Sequence, residues 1–264
     1  YDIHAIGTDV LSLNRLLLDT ESGWYENVHF FGGDGQSDFT GDLGANGADM
    51  RTLSIWTTAW LLDLAKVTGN IYCNIELMAD IDLGSAAWMP IAAGSRQSAE
   101  VTGSAFYGAF KGNGHTVSNL TYSGSWGEDD GFGLFGVLNG GTIANVNFEN
   151  VSITATGGGA VGAAAGIVAN GGSVTNVHVL SGSLTAGDGV GGIVGRMLAA
   201  GSITLSSNAA AIHSVGGKAG GIVAAAYYTR NDKAMTIAEC SNSGEVSSTA
   251  GYVGGIAGLS AADV

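Results

Sequence analysis

The chain has 264 residues, 45 of them glycine and one proline; charged residues make up 12% and the formal net charge is −14. Glycine this abundant without a three-residue period excludes a collagen-like triple helix, and the sparse charge excludes a self-repelling disordered chain. Nine Lys and Arg against 23 Asp and Glu argue against nucleic acid or an anionic membrane surface as partner, and no apolar run approaches the roughly 20 residues of a membrane span.

Residues 1–70 show no repeat and are read as an N-terminal helical cap. Asp9 to Leu18 has helical spacing of apolar residues. So does Ile55 to Val67, with Trp56, Trp60, Leu61, Leu64 and Val67 on one side and Gly69 as a stop signal. Between them lies a Gly- and Asp-rich stretch running from Gly32 to Asp49. It is either a solvated polar loop or a calcium site built on Asp34, Asp38 and Asp42, since carboxylates on a flexible loop offer hard oxygen ligands. Its spacing fits neither an EF-hand loop nor a nonapeptide calcium repeat.

From residue 71 to 264 the chain repeats itself. Gly133-Leu134-Phe135-Gly136 returns as Gly166-Ile167-Val168-Ala169, Gly192-Ile193-Val194-Gly195, Gly221-Ile222-Val223-Ala224 and Gly255-Ile256-Ala257-Gly258. Three apolar columns drift in step: Leu134, Ile167, Ile193, Ile222, Ile256; then Val117, Ile143, Val174, Ile203, Ile237; then Ile153, Leu184, Ile212, Val246. Each is a short β-prone stretch flanked by Gly, Ser, Thr and Asn, too short and too glycine-broken for a stable helix. The pattern predicts a β-helix of about five or six coils, three strands per turn, stacked at about 4.8 Å. One coil cannot bury its own inward face, whereas stacking buries a continuous aliphatic column. Glycine pairs before the aliphatic suit sharp corners, where φ is positive or backbones approach closely. Asn119, Asn145 and Asn176, two residues after the second column, predict a hydrogen-bonded ladder. It stops, or passes to Asn208 and Asn242, where Leu205 and Glu239 take that place.

Two loops interrupt the coils and carry the candidate ligand-binding residues: Trp126, Glu128, Asp129 and Asp130 on one, Tyr227 and Tyr228 on the other. Aromatics on a rigid scaffold are either recognition elements or tolerated, partly buried insertions. His115 reads as a turn histidine. Asp80 and Asp82 alternate with Ile81 and Leu83, so both carboxylates point outward or into one corner. Cys73 and Cys240 fall in early and late coils, too far apart to form a disulfide.

The ordered set Ala79-Asp80-Ile81-Asp82-Leu83, Trp88-Met89-Pro90-Ile91, Phe106 to Leu120 and Gly133-Leu134-Phe135-Gly136 resembles the GLUG-motif proteins, over residues 71–258. These are repeat-bearing bacterial surface and secreted proteins, including adhesin-like proteins of gut Bacteroidetes and regions beside the protease domain of some immunoglobulin A proteases. The resemblance implies an all-β, right-handed parallel β-helix and transfers no catalytic residue. Residues 20–55 look like an insertion relative to that family.

A β-helix glycosidase needs two carboxylates about 5–10 Å apart. Glu149, Glu239 and Glu245 lie on the repeat strands, but not as a pair on adjacent coils. A lyase needs clustered cations, and the basic residues are spread from Arg15 to Lys233. There is no His-Glu-x-x-His helix and no Gly-x-Ser-x-Gly elbow. The expectation is a non-catalytic, extracellular or cell-surface, adhesin-like module that binds a host or matrix glycan or protein. It needs no cofactor unless calcium is held, and makes no membrane insertion of its own. A structural stalk and a polysaccharide-degrading enzyme are the alternatives. A start at Tyr1 and an end just after a repeat signature read as a piece of a longer secreted protein.

Overall fold

A computed structural model describes residues 27–28, 52–97, 100–227 and 235–261. The Asp9–Leu18 helix, the loop with Asp34, Asp38 and Asp42, and Tyr228 lie outside these residues.

The fold is a parallel β-solenoid of six turns. A typical coil runs Thr142–Glu149, Val151–Gly157, Ala160–Val161 and Ala165–Ala169; the next runs Ser173–Val179, Gly182–Ala186, Gly189–Gly191 and Val194–Leu198. Like segments pair in parallel register from coil to coil, giving one long sheet and three sheets of five strands each. Each turn therefore has four short strands, not the three expected. The extra one is the stretch just before the glycine corner, such as Val190. The corner needs glycine for close approach rather than for positive φ. A Cβ on Gly191 would sit 2.1 Å from the Val194 carbonyl oxygen, and one on Gly220 would sit 1.9 Å from that of Val223.

The inward columns follow from the register. One runs Ile75, Phe110, Ile143, Val174, Ile203, Ile237. Another runs Tyr122, Ile153, Leu184, Ile212, Val246. Two expected assignments are corrected. Val117 stacks on Phe148, and the place below Ile143 belongs to Phe110. Ile167 does not join Ile193 and Ile222, because it pairs with Val137 and Arg196. Gly162-Ala163-Ala164-Ala165-Gly166 is the true counterpart of Gly191-Gly192-Ile193-Val194-Gly195, so Ala164 fills the column. Alanine there carries too little apolar weight to mark the repeat. Ile167 is still fully buried, but in a second, smaller cluster with Ala105, Val137, Ala160, Ala169 and Leu198.

The N-terminal helix is short, Thr58–Ala65, and has no side-chain cap. Trp60, Leu61 and Leu64 join the same buried cluster as the inward columns. Trp56 precedes the helix and is 45% exposed, so it is not part of that apolar side. The ladder also reaches back before residue 71, because Thr52–Ile55 pairs with Asn74–Leu77.

Candidate functional site

Trp126 does not project from a loop. It ends the strand Thr121–Trp126, half-buried, with its ring edge-on to Tyr122 at 5.6 Å and to Phe132 at 4.9 Å. Its indole N–H is enclosed and unpartnered among the described residues. The chain then turns through Gly127–Asp130, where the Asp130 amide donates to the Gly127 carbonyl at 3.2 Å. This turn lies flat on Gly157, Gly158 and Gly159 of the next coil. A Cβ on Gly158 would meet Glu128 Cγ at 2.7 Å, and one on Gly159 would meet the Trp126 ring at 2.7 Å. On its other side Asp130 bridges to Ser95 of the hairpin Gly94–Gln97/Glu100–Gly103. Glu128 is exposed, and Asp129 and Asp130 are half-buried. The result is a fixed acidic turn beside an aromatic cluster.

Tyr227 ends the strand Val223–Tyr227 and packs against the outer apolar cluster. The Arg196 guanidinium stands 6.0 Å from its ring centre, at the outer limit of a cation–π contact. Burial disfavours the charge on nearby Lys218. The Asp188 carboxylate at 3.0 Å, with Tyr227, outweighs that and holds the amine above the ordinary lysine range. Trp126 and Tyr227 sit on different sheets three coils apart, so the fold does not bring these two residues together.

Asp80 and Asp82 both point outward. Asp80 Oδ1 accepts from the Thr116 amide at 2.9 Å and faces His115 Nδ1 at 3.1 Å. Asp82 Oδ1 accepts from Asn119 Nδ2 and from the Gly84 amide at 2.8 Å. These bonds, the Thr116 amide first for Asp80 and the Asn119 amide first for Asp82, hold both carboxyls below the ordinary aspartate range. His115 thus serves a turn that ties neighbouring coils together.

One juxtaposition was missed in the sequence. Asp82, Ser118 and Glu149 form a single outward column, because Ile81 pairs with Val117 and Val117 with Phe148. Two rungs separate the carboxylates, about 10 Å. The signal lay in the register of Val117, which periodicity aligned with Ile143 and not with Phe148, five residues further on.

No protein-family profile matches the chain. Halomucin of Haloquadratum walsbyi is 42% identical over 104 residues, which are 39% of this chain and 1% of that protein. The crystal structure of a Bacteroides ovatus protein, provisionally named an immunoglobulin A1 protease, matches with a TM-score of 0.64 and 26% identity. The match covers 82% of this chain and 64% of that one. The chain therefore spans a small fraction of the first relative and less than two thirds of the second.

Proposed function

We propose that this chain is a non-catalytic, adhesin-like module of the GLUG type, working at the cell surface or outside the cell and binding a host or matrix glycan or protein. The observation that carries the reading is the Gly127–Asp130 turn. An acidic turn is held between a hairpin and a glycine seat, on a scaffold whose inward columns are mostly aliphatic. Rigid presentation lowers the entropic cost of recognition. The likeness to Halomucin, whose name marks a mucin-like protein, supports a surface or extracellular setting. The likeness to the Bacteroides protein supports the same scaffold. Asp80 and Asp82 are held ionised by hydrogen bonds, which suits laddering better than proton donation, since a glycosidase acid needs a raised pKa.

The test is a glycan array with pull-down on host mucins. Glu128→Ala with Asp129→Ala should abolish the strongest hit without changing the melting temperature. Unchanged binding in that double variant would refute the turn as the site. Turnover of a polysaccharide, lost in Asp82→Asn or Glu149→Gln, would instead establish an enzyme. A calcium site at Asp34, Asp38 and Asp42 has its own readout: chelation lowers the melting temperature only if an ion is bound, because ligand held by the native state stabilises it by mass action.

A further inference from the structure

Positive charge gathers in one part of this acidic chain. Residues 189–233 hold four of the nine Lys and Arg, namely Arg196, Lys218, Arg230 and Lys233, against one acidic residue, Asp232. Strand register brings Arg196 and Lys218 to a single outer corner. On one sheet the outward column runs Val137, Ile167, Arg196, Ala225. On the neighbouring sheet it runs Gly131, Ala160, Gly189. Lys218 takes the next rung, since its amide donates to the Asp188 carbonyl at 2.8 Å and its carbonyl accepts from the Val190 amide at 2.9 Å. The two columns face each other. Ala160, Val137 and Ile167 share the outer apolar cluster, and a Cβ on Gly131 would meet Ile167 Cγ1 at 3.3 Å. At Arg196 the corner turns from apolar to cationic, and it also widens. A Cβ on Gly131 would sit 2.1 Å from the Gly136 carbonyl oxygen, whereas one on Gly189 would have no neighbour nearer than 3.6 Å.

The two cations differ in what they meet. Asp188 oxygens at 3.0 and 3.4 Å neutralise Lys218. Arg196 faces the Tyr227 ring at 6.0 Å and makes no hydrogen bond or ion pair among the described residues. Among those residues Trp126 Nε1 is the one side-chain atom both enclosed and unpartnered, so the Arg196 donors are open to a ligand.

We propose that Arg196, Lys218 and Tyr227 form a binding site for an acidic sugar, a pyranose carrying a carboxylate, within a glycan. The guanidinium takes the carboxylate through two parallel N–H donors, Lys218 adds a third, and the Tyr227 ring lies against the sugar ring. The proposal rests on reading the chain as a binding module; it adds a second place on the surface and the class of ligand. Charge decides that class. One uncompensated guanidinium matches one negative charge, while a protein of net charge −14 repels a polyanion. The strand Val194–Leu198 is paired on both sides, which leaves no edge for an acidic peptide to extend the sheet.

Titration calorimetry of the whole chain compares four probes: sialyllactose, the methyl glycoside of galacturonic acid, lactose and a glutamate-rich peptide. At least one acidic sugar should bind roughly tenfold or more tighter than lactose, the scale of a hydrogen bond to a charged group. Which of the two is preferred names the source of the carboxylate. Arg196→Gln should bring acidic-sugar binding down to the lactose level, and Arg196→Lys should restore only part of it, because lysine cannot form the planar fork. Unchanged melting temperatures would show that both variants fold. The preference should shrink in 1 M salt, where the Debye length is about 3 Å. Lactose bound as tightly as the acidic sugars, no acidic sugar bound, or binding untouched by Arg196→Gln would each overturn the proposal. Tighter binding of the peptide, lost in Arg196→Gln, would assign the corner to a protein partner instead. Glycan binding that needs Glu128 and Asp129 but ignores Arg196 would leave the proposed function standing and this inference rejected. Acidic-sugar binding that needs Arg196 but ignores Glu128 and Asp129 would do the reverse for the turn.

Discussion

At the residue scale, one corner shows how a ladder of amides is chosen. Asn145, Asn176, Leu205 and Glu239 occupy successive rungs, all with positive φ, between 54° and 58°. Asparagine visits this region readily because its short amide bonds locally, whereas leucine and glutamate clash. Asn176 Nδ2 also donates to Asn145 Oδ1 at 2.8 Å, and the ladder stops at Leu205. It resumes at Asn208, which donates to Asn242 Oδ1 at 2.8 Å. Asn119 belongs elsewhere, between Asp82 and Asn150. Leu205→Asn should therefore stabilise the protein by about 1 kcal/mol, by relieving αL strain and adding a donor to Asn176; chemical denaturation reads this directly, and a lower midpoint would contradict it. Acid acts through Asp80 and Asp82. Their folded-state pKa lies below the unfolded one, so their contribution is present above the ordinary aspartate range and is lost as pH falls through the lowered value. Asp82→Ala should show a smaller loss of stability between pH 7 and pH 3 than the parent chain.

The two thiols obey the opposite sign. Burial pushes Cys73 up to about 12 and, less strongly, raises Cys240. The folded state thus favours the protonated thiol, and stability should fall as pH rises above the ordinary cysteine value. Five rungs separate their coils, about 24 Å. Thiol titration of the denatured, unreduced protein should count two free cysteines, with half-buried Cys240 alkylated first in the native state.

At the element scale, a strand is only as stable as the coils above and below it. Ile193 is fully buried in the principal core. Truncation to alanine should cost about 2–5 kcal/mol, and Ile193→Asp should unfold the protein by burying an unpaired charge. The glycine seat makes a subtler prediction. Gly158→Val places bulk where Glu128 lies, so the Gly127–Asp130 turn must lift. Ligand binding should fall while the melting temperature changes little, as differential scanning calorimetry alongside the mucin pull-down would show.

For the whole molecule, nearest-neighbour stacking makes position matter more than residue type. Ile256 ends the column that includes Ile193 and Ile222, yet it is half-exposed because nothing among the described residues lies beyond it. Ile256→Asp should leave a folded protein with a modestly lower melting temperature, in contrast with Ile193→Asp. Equal effects at both positions would mean that the terminal rung is not open.

Repetition of short aliphatic stretches between glycines made the solenoid legible in the sequence, because one coil cannot bury its own inward face whereas stacked coils bury a continuous column. The third column followed from the same period, which left open whether the ladder stops or passes to Asn208 and Asn242 and whether Asp80 and Asp82 face outward or into a corner; the structure decides for the Asn208–Asn242 bond and for outward carboxylates. Tertiary structure decided the register. Ala164 carries no signal of its own and is recognised only because Ala165 pairs with Phe135 and Val194. It also decided that Trp126 is half-buried against Tyr122 and Phe132, since that contact depends on how the chain turns a corner. Asp82 and Glu149 share a column for the same reason. Distances between coils are set by strand pairing, which a period measured along the chain cannot resolve to a single residue.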